Sequence, residues 1–263
     1  MKSKTDKLAA WLGAYKKVAV ALSGGLDSRV LLYFCVREKG ADNCVAFIAR
    51  APYMHLDELK KATALCRQWG VEAVVFECPL EEQIRHNPSD RCYLCKQRIF
   101  SRFKEALPRY QADILCDGTN TDDLSDHRPG MRALKELDIK SPFLECGFSK
   151  DDIRALFKNY FPDEPVPTPN ACLLTRFEHG AAIDEAMLRP LEQAEAFLKQ
   201  HGFAQVRVRL KNGGAQIEVE PEKIKALEDP ALWDDLRAYF KQHALPDPQV
   251  AKGGYRRGAM NSL

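Results

Sequence analysis

The feature that most constrains this chain is the loop Ser23–Ser28, which contains two glycines and lies between an apolar run and a segment with helical spacing. Residues 17–22 predict a short strand, and residues 30–36 predict a helix. Such a turn brings backbone N–H groups close to an anion, and the helix adds the positive end of its dipole. The loop lacks Gly-Lys-Ser/Thr, so it is not a Walker A loop. An ordinary glycine turn is the alternative, but the strand–turn–helix context favours binding of pyrophosphate.

Asp27 is an unexpected neighbour for a phosphate group. A carboxylate and a phosphate approach each other readily only when a cation lies between them. Oxygen ligands of this kind suit Mg²⁺. The loop therefore predicts Mg²⁺ together with a nucleotide phosphate.

Strand and helix patterns alternate through the first half of the chain. Strands are predicted at 44–49, 71–76 and 112–116, and helices at 4–13, 55–69 and 95–107. This alternation indicates βαβ units and a parallel sheet, so the fold class is α/β. Ligands of such sheets bind at the carboxyl ends of strands. Three segments fall there, namely Ser23–Ser28, Ala49–Ala51 around Arg50, and Asp117–Asp122.

A proline-rich stretch at 161–169, with four prolines in nine residues, interrupts the pattern. Proline at that density is incompatible with a helix or a central strand. We therefore expect two domains, at 1–165 and 166–263, with the site between them. The second is a smaller α+β domain with helices at 183–201 and 233–243 and a hairpin of strands 205–210 and 215–219. Residues 246–263 lack periodicity, and no element is predicted there.

Composition and charge exclude several classes of protein. The chain has 263 residues, 45% of them hydrophobic, and a formal charge of +2. This near-balance gives no basic footprint for nucleic acid, and neither a signal peptide nor a membrane span is predicted. The nine cysteines are an odd and scattered set, which suits reduced thiols in the cytoplasm.

Three cysteines stand in polar surroundings. Cys92 and Cys95 form a Cys-x-x-Cys pair, which suits a metal, a cluster or a disulfide, or consists of two incidental thiols at a helix start. Cys172 lies just past the proline-rich stretch, and Arg176 favours its thiolate, the nucleophilic form. A buried structural cysteine is the alternative for Cys172. The other six lie mostly in apolar runs and are predicted to be core residues: Cys35, Cys44, Cys66, Cys78, Cys116 and Cys146.

Arg207 and Arg209 alternate along one predicted strand and therefore point to the same side. Two guanidinium groups on one face suit a phosphate or a carboxylate. A solvated strand face is the alternative.

Seven motifs together resemble the LarE-type sulfur transferases of the PP-loop ATP pyrophosphatase superfamily. They occur in the family's order and cover nearly the whole chain. They are Ser23–Ser28, Asn87–Lys96, Asp117–Asp123, Arg128–Arg132, Ala171–Arg176, Arg207–Arg209 and Gly254–Asn261.

The resemblance implies a reaction in the biosynthesis of a nickel-pincer nucleotide. ATP adenylylates a carboxylate of a pyridinium-3,5-dicarboxylate mononucleotide, and pyrophosphate leaves. Cys172, with Arg176 beside it, attacks the acyl-adenylate and gives up its sulfur, leaving dehydroalanine. In family members with three cysteines, here Cys92, Cys95 and Cys172, these residues hold a [4Fe–4S] cluster that supplies sulfur instead.

The resemblance also implies the remaining partners. Arg207 and Arg209 are expected to hold the phosphate of the mononucleotide, and the protein is expected to be a homo-oligomer. The residues expected to bind ATP are Ser23, Gly24, Gly25, Asp27, Ser28, Arg50, Asp117, Gly118, Thr119, Asn120 and Asp122. The sequence departs from the family pattern at Thr175, at 177–180 and at Gln216.

Two other classes of function remain open at this point. One is another adenylylating enzyme, either an amide-forming ligase or a tRNA-thiolating enzyme, although the charge balance disfavours tRNA. The other is a non-catalytic carrier of a metal or cluster.

Overall fold

The computed structural model describes residues 3–124, 129–168 and 170–255. The described residues form two compact units, one within Met1–Glu81 and Asp90–Asn170 and the other within Glu82–Ser89 and Ala171–Leu263. Of the motifs above, Arg128 and residues 256–261 lie outside the described residues, as does Pro169.

The first unit is an α/β structure, as predicted. Its elements follow in chain order as α1 (Lys4–Gly13), β1 (Val18–Ala21), α2 (Leu26–Lys39), β2 (Cys44–Arg50), α3 (Leu56–Trp69), β3 (Glu72–Glu77), α4 (Arg91–Ala106), β4 (Ile114–Cys116), α5 (Pro129–Glu136), α6 (Pro142–Glu145) and α7 (Lys150–Tyr160).

The four strands form one parallel sheet in the order β3-β2-β1-β4. In this register Val20 of β1 lies between Ala46 of β2 and Cys116 of β4. The chain proceeds from β1 to β2 and β3 on one side and then returns to place β4 on the other. The strand order therefore reverses between β1 and β4, which is where open α/β sheets bind their ligands.

Helices cover both faces of this sheet. Val18 and Val20 pack in one apolar cluster with residues of α1, α2, α3 and α7, including Leu12 and Phe157. On the opposite face the ring of Phe47 lies 5.6 Å from that of Phe103 in α4. Burial on both faces explains why the inner strands are continuous apolar runs rather than alternating ones.

The helix α7 was not predicted from the sequence. It begins at a capping box in which the Ser149 hydroxyl accepts from the Asp152 N–H and the Asp152 carboxylate accepts from the Ser149 N–H. This Ser-x-x-Asp arrangement is a helix-start signal, followed here by the buried residues Ile153 and Phe157. The capping box fixes the first residue of the helix, Lys150.

The second unit contains a three-stranded sheet and two α-helices within its described residues. The strands are β5 (Arg207–Lys211), β6 (Gly214–Glu218) and β7 (Pro248–Val250), and the helices are α8 (Glu185–Gln200) and α9 (Pro230–Gln242). β5 and β6 form the predicted antiparallel hairpin. Its turn residues Asn212 and Gly213 both have positive φ, as a type I′ turn requires.

The strand β7 lies in the tail, where no element was predicted. It pairs in parallel with β6 through Pro248, Gln249 and Val250. A strand of three residues is too short to show alternation, so backbone pairing rather than side-chain pattern defines it.

The segment Glu82–Ser89 belongs to the second unit although it precedes α4 in sequence. The buried Asn87 side chain donates to the carbonyl oxygens of Leu174, Phe177 and Glu178 at 3.2, 2.9 and 2.9 Å. The Asn87 carbonyl in turn accepts from the N–H of Gly180 at 3.2 Å. One amide side chain thus ties this segment to the residues that follow Cys172. Within the described residues, no helix has both the length and the apolar character needed to cross a membrane.

Candidate functional site

The loop from Ser23 to Ser28 joins β1 to α2, as predicted. The Ser23 and Ser28 hydroxyl oxygens lie 3.1 Å apart, and the Ser23 N–H donates to the Ser28 hydroxyl at 3.2 Å. Gly24 has φ +82°, and a Cβ there would lie 2.6 Å from the Glu58 carbonyl oxygen. A side chain at position 24 would meet rigid backbone, so glycine is required. The loop is a tight backbone turn at the start of a helix, which is suited to an anion.

The segment after β4 packs directly against this loop. A Cβ at Gly118 would lie 2.9 Å from the Ser28 nitrogen, so a glycine is needed for the two loops to approach. The Asp117 carboxylate accepts from the Ser141 hydroxyl at 2.6 Å and from Thr119. The Asn120 amide nitrogen lies 3.5 Å from Asp27 Oδ1. The structure therefore brings together the predicted segments that follow β1 and β4.

Asp122 lies at the far end of the same segment. Its N–H donates to the Asn120 side-chain oxygen at 3.1 Å, and its carboxylate accepts from the Lys150 N–H at 2.7 Å. Asp122 thus links the β4 loop to the first turn of α7.

Arg50 stands apart from these loops in its contacts. It ends β2, its side chain is 58% exposed, and its Nε lies 3.1 Å from the Glu77 carboxylate of β3. Its proposed contact with ATP stays a prediction.

Asp27 has chemistry suited to Mg²⁺. Its side chain is 25% exposed, and its carboxylate contacts the ammonium group of Lys150. Oxygen donors that already attract a cation and face partly toward solvent fit a hard divalent ion. When such an ion binds with the phosphates of ATP, Asp27 is the residue that would hold it.

Cys92 and Cys95 lie in the first turn of α4, on the same side of the helix. Cys92 is exposed and Cys95 is half-buried, with its sulfur 3.2 Å from the Tyr53 hydroxyl. A Cβ at Gly130 of α5 would lie 3.3 Å from the Cys92 carbonyl, so α5 packs closely beside this turn. Two thiols so placed fit two ligands of a cluster or a metal. Among residues 3–124, 129–168 and 170–255, no three or more His, Cys, Asp or Glu side chains are gathered as a metal site.

Cys172 begins a short 3₁₀ turn, Leu173–Arg176, in the second unit, and it is partly exposed. The Thr175 hydroxyl donates to the Cys172 carbonyl at 2.8 Å, and the Thr175 N–H donates to the same oxygen at 3.1 Å. Thr175 therefore fixes the backbone of the turn while the Cys172 side chain keeps access to solvent.

Arg176 is fully buried and anchors this turn from below. Its guanidinium binds the Glu195 carboxylate through two hydrogen bonds of 2.7 and 2.8 Å. Another of its nitrogens donates to Thr175 Oγ1 at 2.6 Å and to the Cys172 carbonyl at 3.4 Å. These contacts favour a role in positioning the Cys172 backbone.

Glu195 was not identified from the sequence. It lies on α8, it is 1% exposed, and it also accepts from the Val208 N–H at 3.0 Å. Burial alone would raise the pKa of Glu195, but the charge and hydrogen bonds of Arg176 hold that pKa below its usual value. A glutamate at a buried position of an amphipathic helix was the sequence signal that could have revealed it.

Arg207 and Arg209 lie on the same face of β5 but in different surroundings. Arg207 is buried, donates to the Val206 carbonyl at 2.7 Å and lies 5.3 Å from the Tyr255 ring. Burial, followed by the charge of Arg176, lowers the pKa of Arg207. Arg209 pairs with Glu218 at 2.9 Å.

Arg209 also lines an open pocket of about 330 Å³. The pocket is rich in basic and amide groups, and its other lining residues are Lys211, Asn212, Gln216, Glu218, Ala251 and Lys252. Gln216 donates to the Gln249 side chain at 2.8 Å. A pocket with three basic groups suits an anion.

The six cysteines predicted to be core residues are all buried, which confirms that prediction. Burial raises the pKa of each, to about 11 for Cys44 and Cys66. Buried thiols with raised pKa values are poor nucleophiles. The three remaining cysteines, Cys92, Cys95 and Cys172, are those with access to solvent.

The chain is similar to known proteins over nearly its whole length. Residues 5–98 match the family model described as NAD synthase. The chain is 34% identical to an uncharacterized protein of Methanocaldococcus jannaschii over 81% of this chain and 82% of that protein. It is 30% identical to an uncharacterized protein of Synechocystis sp. over 100% of this chain and 98% of that protein. It is 28% identical to pyridinium-3,5-bisthiocarboxylic acid mononucleotide synthase of Lactiplantibacillus plantarum over 98% of this chain and 94% of that protein.

Proposed function

This chain belongs to the LarE-type family of the PP-loop ATP pyrophosphatase superfamily and is an ATP-using enzyme, and from that premise we propose that it transfers sulfur to a carboxylate. The substrate we propose is a pyridinium-3,5-dicarboxylate mononucleotide, on the path to a nickel-pincer nucleotide. Similarity to a synthase named for the bisthiocarboxylic acid product, over both units, supports this choice.

The first step is adenylylation at the glycine loop. A carboxylate oxygen of the substrate attacks the α-phosphate of ATP, the bond to the bridging oxygen breaks, and pyrophosphate leaves with the electron pair. The loop N–H groups and the Ser23 and Ser28 hydroxyls hold the phosphates. Bound Mg²⁺ neutralises phosphate charge during this step. The acyl-adenylate that results has a good leaving group, AMP, in place of oxide.

The second step uses Cys172. Its thiolate attacks the acyl carbon, AMP leaves, and a thioester forms. A base then removes the proton from Cα of Cys172, the Cβ–S bond breaks, and its electrons remain on sulfur. The products are a thiocarboxylate and dehydroalanine at position 172, so each protein chain supplies one sulfur atom in the absence of a cluster.

The contrast among the cysteines is the observation that carries this proposal. Six thiols are buried with raised pKa values, whereas Cys172 stands partly exposed on a turn that a buried Arg176–Glu195 pair holds in place. A nucleophile needs access to its target and a fixed position, and Cys172 has both. Arg176 acts here as a positioning residue through the Thr175 hydroxyl and the Cys172 carbonyl.

The phosphate of the mononucleotide is proposed to bind beside Arg209. Arg209, Lys211 and Lys252 supply positive charge to one pocket, which suits a dianion. The buried Arg207 adds charge behind Arg209 on the same strand face. Because the chemistry consumes reduced thiols, we place the enzyme in the cytoplasm.

The test is the mass of the intact protein after turnover. The iron-free enzyme is incubated with ATP, Mg²⁺ and the dicarboxylate mononucleotide, and we expect loss of one hydrogen sulfide equivalent at Cys172. Cys92→Ser serves as the control, since this iron-free route leaves Cys92 unchanged. Thiolated product from an iron-free enzyme whose Cys172 stays intact would exclude the proposal.

A cluster-dependent route is a variant of the same function. Cys92, Cys95 and Cys172 would hold three irons of a [4Fe–4S] cluster, which leaves the fourth iron open for an added sulfide. An iron assay and an absorption spectrum of anaerobically purified protein measure the cluster directly. In Cys92→Ser we expect the iron content to fall, and a cluster retained at full occupancy in that variant would exclude this ligand set.

Amide formation is a second candidate, favoured by the match of residues 5–98 to the NAD synthase model. Amide formation requires no protein thiol. Full ATP-dependent activity of Cys172→Ala with ammonia as acceptor would favour this alternative over sulfur transfer.

A further inference from the structure

Lys150 was not identified from the sequence, yet it provides the charge partner of the glycine loop. Its ammonium group contacts Asp27 Oδ2, and the two side chains are 24% and 25% exposed. The other carboxylate oxygen of Asp27 faces the Asn120 amide nitrogen at 3.5 Å. The acidic residue of the loop thus already has a cation and a neutral donor.

The backbone of Lys150 is fixed more firmly than an ordinary surface lysine. Lys150 is the first residue of α7, between the cap residue Ser149 and the acidic Asp152. Its N–H donates to the Asp122 carboxylate at 2.7 Å. Because the main chain is held at this point, the ammonium group swings from a fixed pivot beside the loop.

The charges of the loop explain why a cation is needed there. The glycine loop and the start of α2 favour an anion, whereas the carboxylate of Asp27 repels one. Lys150 neutralises that carboxylate before a nucleotide arrives. A lysine ammonium is a flexible point charge with three donors, which suits it to changing partners from a carboxylate to phosphate oxygens.

We propose that Lys150 is an exchangeable counter-ion that binds Asp27 in the free enzyme and the pyrophosphate end of ATP in the complex. The inference rests on the proposed role of the glycine loop as the ATP site. When Asp27 turns to a metal ion, Lys150 is released and donates hydrogen bonds to the β- and γ-phosphates. It then stabilises the negative charge that pyrophosphate gains as the bond from the α-phosphorus to the bridging oxygen breaks, with no proton transferred.

The alternative is that Lys150 only ties α7 to the glycine loop. The two roles differ in what happens to ATP binding when Asp27 loses its charge. An exchangeable Lys150 is set free by Asp27→Asn and then binds phosphate without any metal ion. A purely structural Lys150 gives no such gain that depends on its own ammonium group.

The experiment measures equilibrium binding of ATP to the whole protein by calorimetry, with Mg²⁺ and with EDTA. We expect Lys150→Met to weaken binding of Mg²⁺-ATP by about tenfold or more. We expect Asp27→Asn to tighten binding of metal-free ATP by about tenfold, and the double variant to lose that gain. Lys150→Arg should retain most of the affinity. The control is Lys158→Met, which removes an exposed lysine from the same helix and should leave binding unchanged.

Unchanged affinity of Lys150→Met for Mg²⁺-ATP, with the helical circular dichroism of the wild type, would overturn the inference. So would a gain in metal-free binding that is equal in Asp27→Asn and in the double variant. These outcomes do not depend on sulfur transfer. An enzyme that leaves Cys172 intact but binds ATP through Lys150 would disprove the proposed function and support this inference.

Discussion

The glycine loop of the first unit and the Cys172 turn of the second unit are held in place by different physical means. The loop is fixed by close backbone approaches, at Gly24 against the Glu58 carbonyl and at Gly118 against Ser28. The Cys172 turn is fixed by a buried ion pair, Arg176 with Glu195. A backbone site tolerates few side chains at its glycines, whereas an ion-pair site tolerates no unbalanced charge. Substitutions should therefore damage the two regions in distinct ways.

The largest effect on stability is expected from Glu195→Gln. It leaves Arg176 charged and buried without a carboxylate, which costs about 3–5 kcal/mol. Urea unfolding should show this loss, and hydrogen exchange at residues 171–177 should rise before exchange in the first unit does. Glu185→Gln is the matched control, because Glu185 lies on the same helix but is 43% exposed and should change stability by less than about 0.5 kcal/mol. A Glu195→Gln protein as stable as the control would show that the pair does not hold the turn.

Gly24→Ala should have the next largest effect, in the first unit. The positive φ costs about 1–3 kcal/mol for a residue with a side chain, and the new Cβ lies 2.6 Å from a backbone oxygen. The loop must shift, so we expect ATP affinity to fall by about tenfold or more, measured by calorimetry. Gly13→Ala is the control, since a Cβ there meets nothing within 4 Å. Equal ATP affinities of the two variants would contradict a backbone-built phosphate site.

Asn87→Asp tests the tie between the segment Glu82–Ser89 and the residues after Cys172. It replaces an amide donor that serves three carbonyl oxygens with a carboxylate that repels them. We expect a loss of about 1–3 kcal/mol, with faster hydrogen exchange at residues 174–180. Asn43→Asp is the control, as Asn43 makes one exposed hydrogen bond to the Lys39 carbonyl. If exchange at 174–180 stayed at the wild-type rate, Asn87 would not be the tie.

The smallest effect is a pH dependence that comes from Asp152. Hydrogen bonds, first from Lys4 and then from the Ser149 N–H, lower its pKa to about 2. A lowered folded-state pKa stabilises the protein above the unfolded value near 4, and this stability is lost as the pH falls toward 2. The pair with Lys4 is partly exposed, so solvent screening limits the effect to about 1 kcal/mol or less. Acid titration of Asp152→Asn should lack this part of the pH dependence, and a profile identical to that of the wild type would show that Asp152 does not contribute.

The sequence predicted the first region well because its signals are local. Ser23–Ser28 carries its glycines, serines and flanking elements within a few positions, and the parallel sheet follows from alternation. The closeness of Asp117 and Asn120 to this loop also followed from the rule for strand ends. Lys150 was missed because its helix is defined by a capping box that the apolar pattern did not reveal.

The second region was less predictable because its contacts join distant positions. Arg176 and Glu195 are separated by a loop and part of α8, and the charge of each conceals that both are buried. Asn87 acts through backbone carbonyls, which have no sequence signature. The strand β7 is likewise defined by pairing with β6 and not by its own three residues. Cys172 itself was identified through family resemblance, since local sequence left a structural cysteine equally open.

The most direct test of the account is the origin of the transferred sulfur. The protein is produced with ³⁴S-labelled cysteine, freed of iron, and given ATP, Mg²⁺ and the dicarboxylate mononucleotide with no other sulfur source. We predict that the thiolated product carries ³⁴S, in an amount equal to the Cys172 converted to dehydroalanine. Unlabelled product, or labelled product together with an intact Cys172, would contradict the claim that Cys172 gives its sulfur to the substrate.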